Sequence, residues 1–436
     1  MGCASSAYAF GRNKKTKKTI PEVTIFIPSI RVPVYSDLFS ATTLNNGFIH
    51  KDLARTITSL RNQIVLVAED TEASAITQLQ QALQQYVPLL LGLARKEYGL
   101  DEVGEFKWKN LEDGKEEMMC EANLWFELLS VLHMMAMLTL VEANSKLIPK
   151  NTTDSSGRQL VTTDCMRDAV DLLVKAAGYL DLCVRDISLR LHPDIKERLP
   201  VDLQEQVLAA ILNQALAQGT EIQFSLALET QNATLSVKRR LACEQLSYFG
   251  QAHCCLSEAN DSKGATQKHL MFIKWKYLEA KAAAYYYHGL IVEKGTEASS
   301  SHVSALCCFL AAEELLAESK RACLSFCLAN PVTRAPPPWG AMKHLNKKIP
   351  ETALKKSQMY GYLLDQQEKT VQLLMPDLPE FQLSLKPDDY VLPEVDSAWD
   401  SNNSDIPIPI PIPIPAQTLK DHLEDCDEDV AQQSGL

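Results

Sequence analysis

The opening residues, Met1-Gly2-Cys3-Ala4-Ser5-Ser6, are of types and spacing that could do chemistry. Gly2 behind the initiator Met, with Ser6 four positions on, is the M-G-x-x-x-S pattern of N-myristoylation, and the adjacent Cys3 thiol can carry a palmitoyl chain. Arg12, Lys14, Lys15, Lys17 and Lys18 follow, with no acidic residue before Glu22. One myristoyl chain holds a bilayer only marginally, at roughly 10⁴ M⁻¹, so lasting attachment needs a second signal. Two are available here: a second chain on Cys3, and a basic cluster worth about 1 kcal/mol per Lys or Arg at an anionic surface. The competing reading is a basic terminus that fits a short pattern by chance. The expectation is a lipidated anchor over residues 1–21 that touches anionic lipid.

Other reactive side chains lack a chemical pattern. Cys254-Cys255 and Cys307-Cys308 are adjacent pairs, and Cys323 and Cys327 stand one helical turn apart. No CxxC recurs, and His253 beside Cys254 is too little for zinc, so buried, reduced helical thiols are expected. GxSxG, HExxH, Walker and GxGxxG motifs are missing, and no carboxylate pair is set apart from an ordinary solvated helix face. His288, at the end of Ala282-Ala283-Ala284-Tyr285-Tyr286-Tyr287, reads as structural. A non-enzymatic protein without metal or cofactor is the expectation.

The elements that must position any site are helices. Leu, Ala, Gln and Glu are abundant, and Gly is scarce at 17 of 436 residues, a balance that favours helix over sheet. The net charge of −12 divides unevenly: the first 18 residues carry +5, the stretch from Asp396 onward −8, and the body −9. An acidic body speaks against nucleic acid. Glu22–Val34 reads as the one extended stretch, restricted by Pro28 and Pro33. Apolar residues at three- and four-residue steps predict helices over 52–68, 72–97 (with a kink or break at Pro88), 116–144, 163–185, 202–229 capped by Asp202, 234–257, 268–294, 299–328 and 350–374. Residues 98–114 and 148–161 read as loops. Leu124–Val141 has the length of a membrane span, but Glu127 and the amphipathic helices around it predict burial within protein instead. Residues 376–395 form an extended segment laid along the body. The rest, with the Ile406–Pro415 IPIPIPIPIP strip, is disordered in composition. The predicted fold is all-α: a curved, solenoid-like body over 22–395, a short β segment near its start, and an acidic tail over 396–436.

Several of these helices also carry a resemblance. Glu117–His133 (EMMCEANLWFELLSVLH) resembles the central hydrophobic helix of the Bro1 domain, the boomerang-shaped module of Alix-type proteins. Lys175-Ala176-Ala177-Gly178-Tyr179-Leu180 resembles that family's KAAGYF signature. Tyr248-Phe249-Gly250, Lys281–Tyr286 and the Lys294-Gly295 turn before Leu306–Cys323 resemble further family positions. The resemblance spans about residues 24–392 and implies the lipid-anchored, single-domain kind. It implies a partner as well: the C-terminal amphipathic helix of a Snf7/CHMP4-type ESCRT-III subunit, in endosomal sorting or membrane remodelling. Registered on Tyr248-Phe249-Gly250, the family's apolar patch falls on Phe224, Val237 and Leu241, with Ser225 where the family often has a second aromatic. The Gln433-Ser434-Gly435-Leu436 end offers no prenylation cysteine, which leaves Gly2 and Cys3 as the expected anchor. The alternative is a helical peptide-binding scaffold with no ESCRT role, using the Ile-Pro strip.

Overall fold

The computed structural model describes residues 24–28, 30–39, 49–69, 73–95, 105–110, 118–148, 161–230, 232–259, 265–295, 299–333, 340–367 and 376–399. The lipidation and basic-cluster residues and the Ile-Pro strip lie outside them. Ten α-helices and one small sheet make up the described body, which is all-α as expected. The elements are β1 (Arg31–Pro33), α1 (Lys51–Glu69), α2 (Ala73–Arg95), β2 (Phe106–Asn110), β3 (Met118–Glu121), α3 (Leu124–Leu147) and α4 (Thr163–Leu182). They continue with α5 (Pro193–Arg198), α6 (Glu205–Glu229), α7 (Leu235–Glu258), α8 (Ala265–Gly295), α9 (Ser299–Leu328) and α10 (Met342–Gln367). A π-turn over Cys183–Ile187 carries α4 on to Arg190. The long helices from α3 on pack each against the next long helix in the chain, the nearest-neighbour stacking of a solenoid.

Helix α3 is the axis of the larger apolar cluster. Its apolar residues circle the helix, and α2, α4, the π-turn and strands β1 and β2 pack around it. Glu127, fully buried, is the reason this stretch belongs inside protein: its Oε1 accepts from Arg61 Nε at 2.9 Å and from Tyr86 Oη at 3.0 Å, and its Oε2 from Trp108 Nε1 at 2.5 Å. Arg61 also donates to the carbonyls of Val34 and Lys107 at 2.7 and 3.0 Å. One ion pair thus ties α1, α2, the sheet and α3 together, with the full hydrogen bonding that a buried charge requires.

The sheet is antiparallel in the order β1-β2-β3, with Val32 opposite Lys109 and Trp108 opposite Met119. Strand β2 corrects the expectation of a loop over 98–114, and β3 occupies the start of what reads as helix 116–144. The signal lies in Phe106-Lys107-Trp108-Lys109: the aromatics point inward and the lysines outward, a period of two. Before the sheet, residues 25–28 are buried, and side chains hold this segment's backbone. Gln214 Nε2 donates to Phe26 O at 2.6 Å, Gln218 Nε2 to Thr24 O at 2.9 Å, and Ile25 N to Asn144 Oδ1 at 3.0 Å.

Other details of the helices also differ from the sequence reading. Asp202 does not cap α6; its carboxylate accepts from Arg31 Nη1 at 2.9 Å, and the helix begins at Glu205 without a side-chain cap. Helix α2 continues through Pro88, and the Pro88 carbonyl accepts from Asp396 N at 3.3 Å. Helix α10 begins eight residues before Pro350, which sits inside it.

The extended segment over 376–395 lies on the body as expected. Asp388 N donates to Val174 O at 3.1 Å, Tyr390 meets Tyr179 edge-on at 4.6 Å, and Leu383, Leu385 and Leu392 pack on the larger cluster. A Cβ on Gly178 would come within 2.5 Å of Asp388 O, so the KAAGYL glycine is the notch that admits this segment. The body does not stop at residue 395. Trp399 Nε1 donates to Leu89 O at 3.0 Å, and its ring occupies the space a side chain at Gly92 would need.

Candidate docking surface

The smaller apolar cluster joins α8, α9 and α10 to Phe224 of α6 and Ala242 of α7. Its edge reaches the surface at the start of α7. Thr234 caps this helix, its Oγ1 accepting from Val237 N at 3.3 Å, so the backbone there is satisfied while the Val237 side chain stays 45% exposed. Leu241 follows one turn later on the same face, half-buried against the smaller cluster. Phe224 does not join them. Helices α7 and α8 pack over it, it is 0% exposed, and it meets Tyr287 edge-on at 5.7 Å. The expectation that all three lie at the surface is corrected: Val237 is exposed, Leu241 half-buried and Phe224 buried. Phe224 is the floor of the cluster beneath them, because α6 turns that residue inward.

The flanking cations are partly engaged. The Arg239 guanidinium lies over the Phe381 ring at 5.7 Å, with Nη1 3.4 Å from His288 Nδ1. Burial, and then the Arg239 charge, hold His288 below the ordinary histidine range, so this ring is neutral, in keeping with the structural role expected of it. Arg240 Nε donates to Glu244 Oε1 at 2.6 Å, and Glu244 Oε2 accepts from Ser384 N at 3.0 Å and from the Ser384 hydroxyl. Tyr248 Oη donates to the Leu385 carbonyl. The C-terminal segment is therefore fastened beside the patch, with Leu378 and Phe381 packed on the same cluster as Leu241. Sequence reasoning missed these rim residues. Their signal was the spacing of Leu378, Phe381, Leu383 and Leu385 between polar neighbours.

The run from Asn213 to Glu221 has a structural task. Besides holding Phe26, Gln214 sits with its Oε1 2.6 Å from His269 Nε2. Burial pushes His269 down to about 3. Glu221 Oε1 accepts from Lys276 Nζ at 2.8 Å, and Glu279 Oε2 accepts from the same ammonium at 3.0 Å. These buried polar groups act between helices. Among the described residues no group of His, Cys, Asp and Glu could hold a metal ion. Burial also raises the Cys243 thiol to about 11 and the Cys308 thiol to about 12, which marks them as packing residues.

Three comparisons bear on this geometry. The model of the BRO1-like domain matches residues 42–366. The structure described as "Structure basis for endosomal targeting by the Bro1 domain" is similar at 16% identity with a TM-score of 0.53, covering 88% of this chain and 95% of that one. "ALIX BRO1 CHMP4C complex" is similar at 14% and 0.54, over 88% of this chain and 99% of that one. "Crystal Structure of ALIX in complex with the SIVmac239 PYKEVTEDL Late Domain" is similar at 14% and 0.58, over 92% of this chain and 53% of that one. Comparison with curated proteins finds no match. At these identities the structural likeness speaks to the fold, and the family match covers most of the chain: this chain belongs to the BRO1-like domain family.

Proposed function

We propose that this protein is a non-enzymatic adaptor that docks the C-terminal amphipathic helix of a Snf7/CHMP4-type ESCRT-III subunit on Val237 and Leu241. It acts at the cytoplasmic face of endosomal or plasma membrane, held there by acyl chains on Gly2 and Cys3 and by the basic cluster from Arg12 to Lys18. The observation that carries the reading is the exposed Val237–Leu241 face, one turn of apolar surface on an otherwise charged stretch, in a body whose structural relatives include a Bro1 domain complexed with CHMP4C. An amphipathic partner helix needs just such anchors, with the polar rim supplying orientation. Capture on the immobilised ESCRT-III C-terminal helix tests the patch: wild type binds and Leu241→Asp does not, and equal capture of both overturns it. Fractionation of cells tests the anchor: Gly2→Ala moves to the soluble fraction, and continued membrane association overturns that half of the reading.

A further inference from the structure

Helix α10 turns Leu345, Ile349 and Ala353 into the smaller cluster. Its opposite side faces solvent with Lys343, Lys347, Lys348 and Lys355, and among them stand Leu354, Met359 and Tyr362, exposed by 62%, 47% and 60%. At about 100° per residue all seven fall within roughly 160° of the helix circumference. Glu351 shares this sector and is 3.6 Å from Lys347, both side chains well exposed. Lys343, Lys348 and Lys355 form no ion pair with any described residue. Lys356 belongs to a different side, where it pairs with Glu293 and lies against Tyr360.

The fold itself gives no use for these cations. The first turn of α10 holds Lys343 and His344 and no acid, where the positive end of the helix dipole disfavours added positive charge. The lysines also run against a chain of net charge −12. Cations interleaved with bare apolar side chains match the chemistry of an anionic bilayer: ammonium groups meet lipid phosphates and carboxylates while Leu, Met and Tyr enter the headgroup boundary. A competing occupant is this chain's own acidic stretch, Asp425–Asp429. It offers charge, with Leu423, Cys426 and Val430 in or beside it, so the peptide that contains it is tested against the vesicles.

We propose that the outer face of α10 is a second lipid-contact surface, specific for anionic bilayers, that lays the folded body on the membrane to which the N-terminus tethers it. This rests on the membrane-anchored reading above, and the test separates the two. Full-length Gly2→Ala protein, which cannot be myristoylated, is sedimented with phosphatidylcholine vesicles with and without phosphatidylserine. It should bind only the anionic vesicles, and binding should weaken with added salt. In the same background, Lys343→Glu, Lys347→Glu, Lys348→Glu and Lys355→Glu combined should weaken binding at least about ten-fold, since each lysine near the surface is worth roughly five-fold. Leu354→Ser, Met359→Ser and Tyr362→Ser combined should weaken it while keeping its salt dependence. All seven positions are exposed, and unchanged thermal unfolding verifies the fold. Equal sedimentation of the background and four-lysine proteins overturns the proposal. So does binding of a peptide of residues 416–436 to this face together with failure of the vesicles to bind. Whether Gly2 is acylated in cells is read separately, by mass spectrometry of the wild-type N-terminus.

Discussion

The two apolar clusters of this molecule treat charge in opposite ways. Around α3, charge is taken inside and paired: Glu127 receives Arg61, Tyr86 and Trp108, and Arg31 meets Asp202 at 2.9 Å. Around α10 and the start of α7, charge stays outside next to exposed apolar side chains, as with Lys355 beside Leu354 and Lys238 beside Val237. The first arrangement joins elements far apart in sequence and gives the body one geometry. The second leaves surface uncommitted, which binding requires. The larger cluster reads as framework, and under the proposed function the smaller is the side that meets partners.

Glu127→Gln should be among the most damaging single changes, because it leaves the Arg61 charge buried without its counter-ion. A loss of about 3–5 kcal/mol is expected, read from urea unfolding. Phe224→Ala should cost a similar amount, about 3–5 kcal/mol, because it empties a filled site in the core. If it instead weakened partner capture without lowering stability, Phe224 would belong to the surface and the contrast between floor and patch would fail.

The larger cluster should also set the pH response. His133, buried in α3, is pushed down to about 4, chiefly by burial; Arg31 lowers it further and Asp202 opposes. The unfolded chain takes up this proton near pH 6.5 and the folded one does not, so stability is fully present above that pH. It falls as pH drops from about 6.5 through 4, by as much as roughly 3 kcal/mol. His269 acts in the same direction. His133→Leu should flatten the dependence of the urea midpoint on pH, whereas His288→Leu, at the smaller cluster, should change it less.

Leu241→Asp should weaken partner binding by about 2 kcal/mol, roughly thirty-fold in Kd, measurable by calorimetry at a temperature where unfolding shows the variant still folded. Gly92→Ala should have the smallest effect, about 1–2 kcal/mol from overpacking. A Cβ there meets the Trp399 ring at 2.0 Å, so residues 396–399 should be displaced and more open to protease while α7 still binds its partner.

Much of this architecture was legible beforehand. Leu235–Glu258 and Ser299–Leu328 lie within one residue of the ranges read from apolar spacing, because their periodicity and their breakers agree. Burial of Leu124–Val141 followed from Glu127 and the amphipathic neighbours. Strand β2 was missed because five residues carry too little period-two signal to compete with loop composition. Asp202 misled because a carboxylate before an apolar run suits a cap equally well as an ion pair with Arg31, 171 positions away.

The sequence alone determined the helices, the burial of α3, the extended C-terminal segment and the family to which the chain belongs. These depend on local period and composition, which lie within a few turns of chain. Only the tertiary structure decided that Phe224 is buried and Val237 exposed, that Gly178 and Gly92 are notches for Asp388 and Trp399, and that the lysines of α10 face outward together. Each of these depends on which side of a helix a neighbour covers, and that neighbour comes from a distant part of the chain. Spacing can place residues on one face; only packing determines which face remains open.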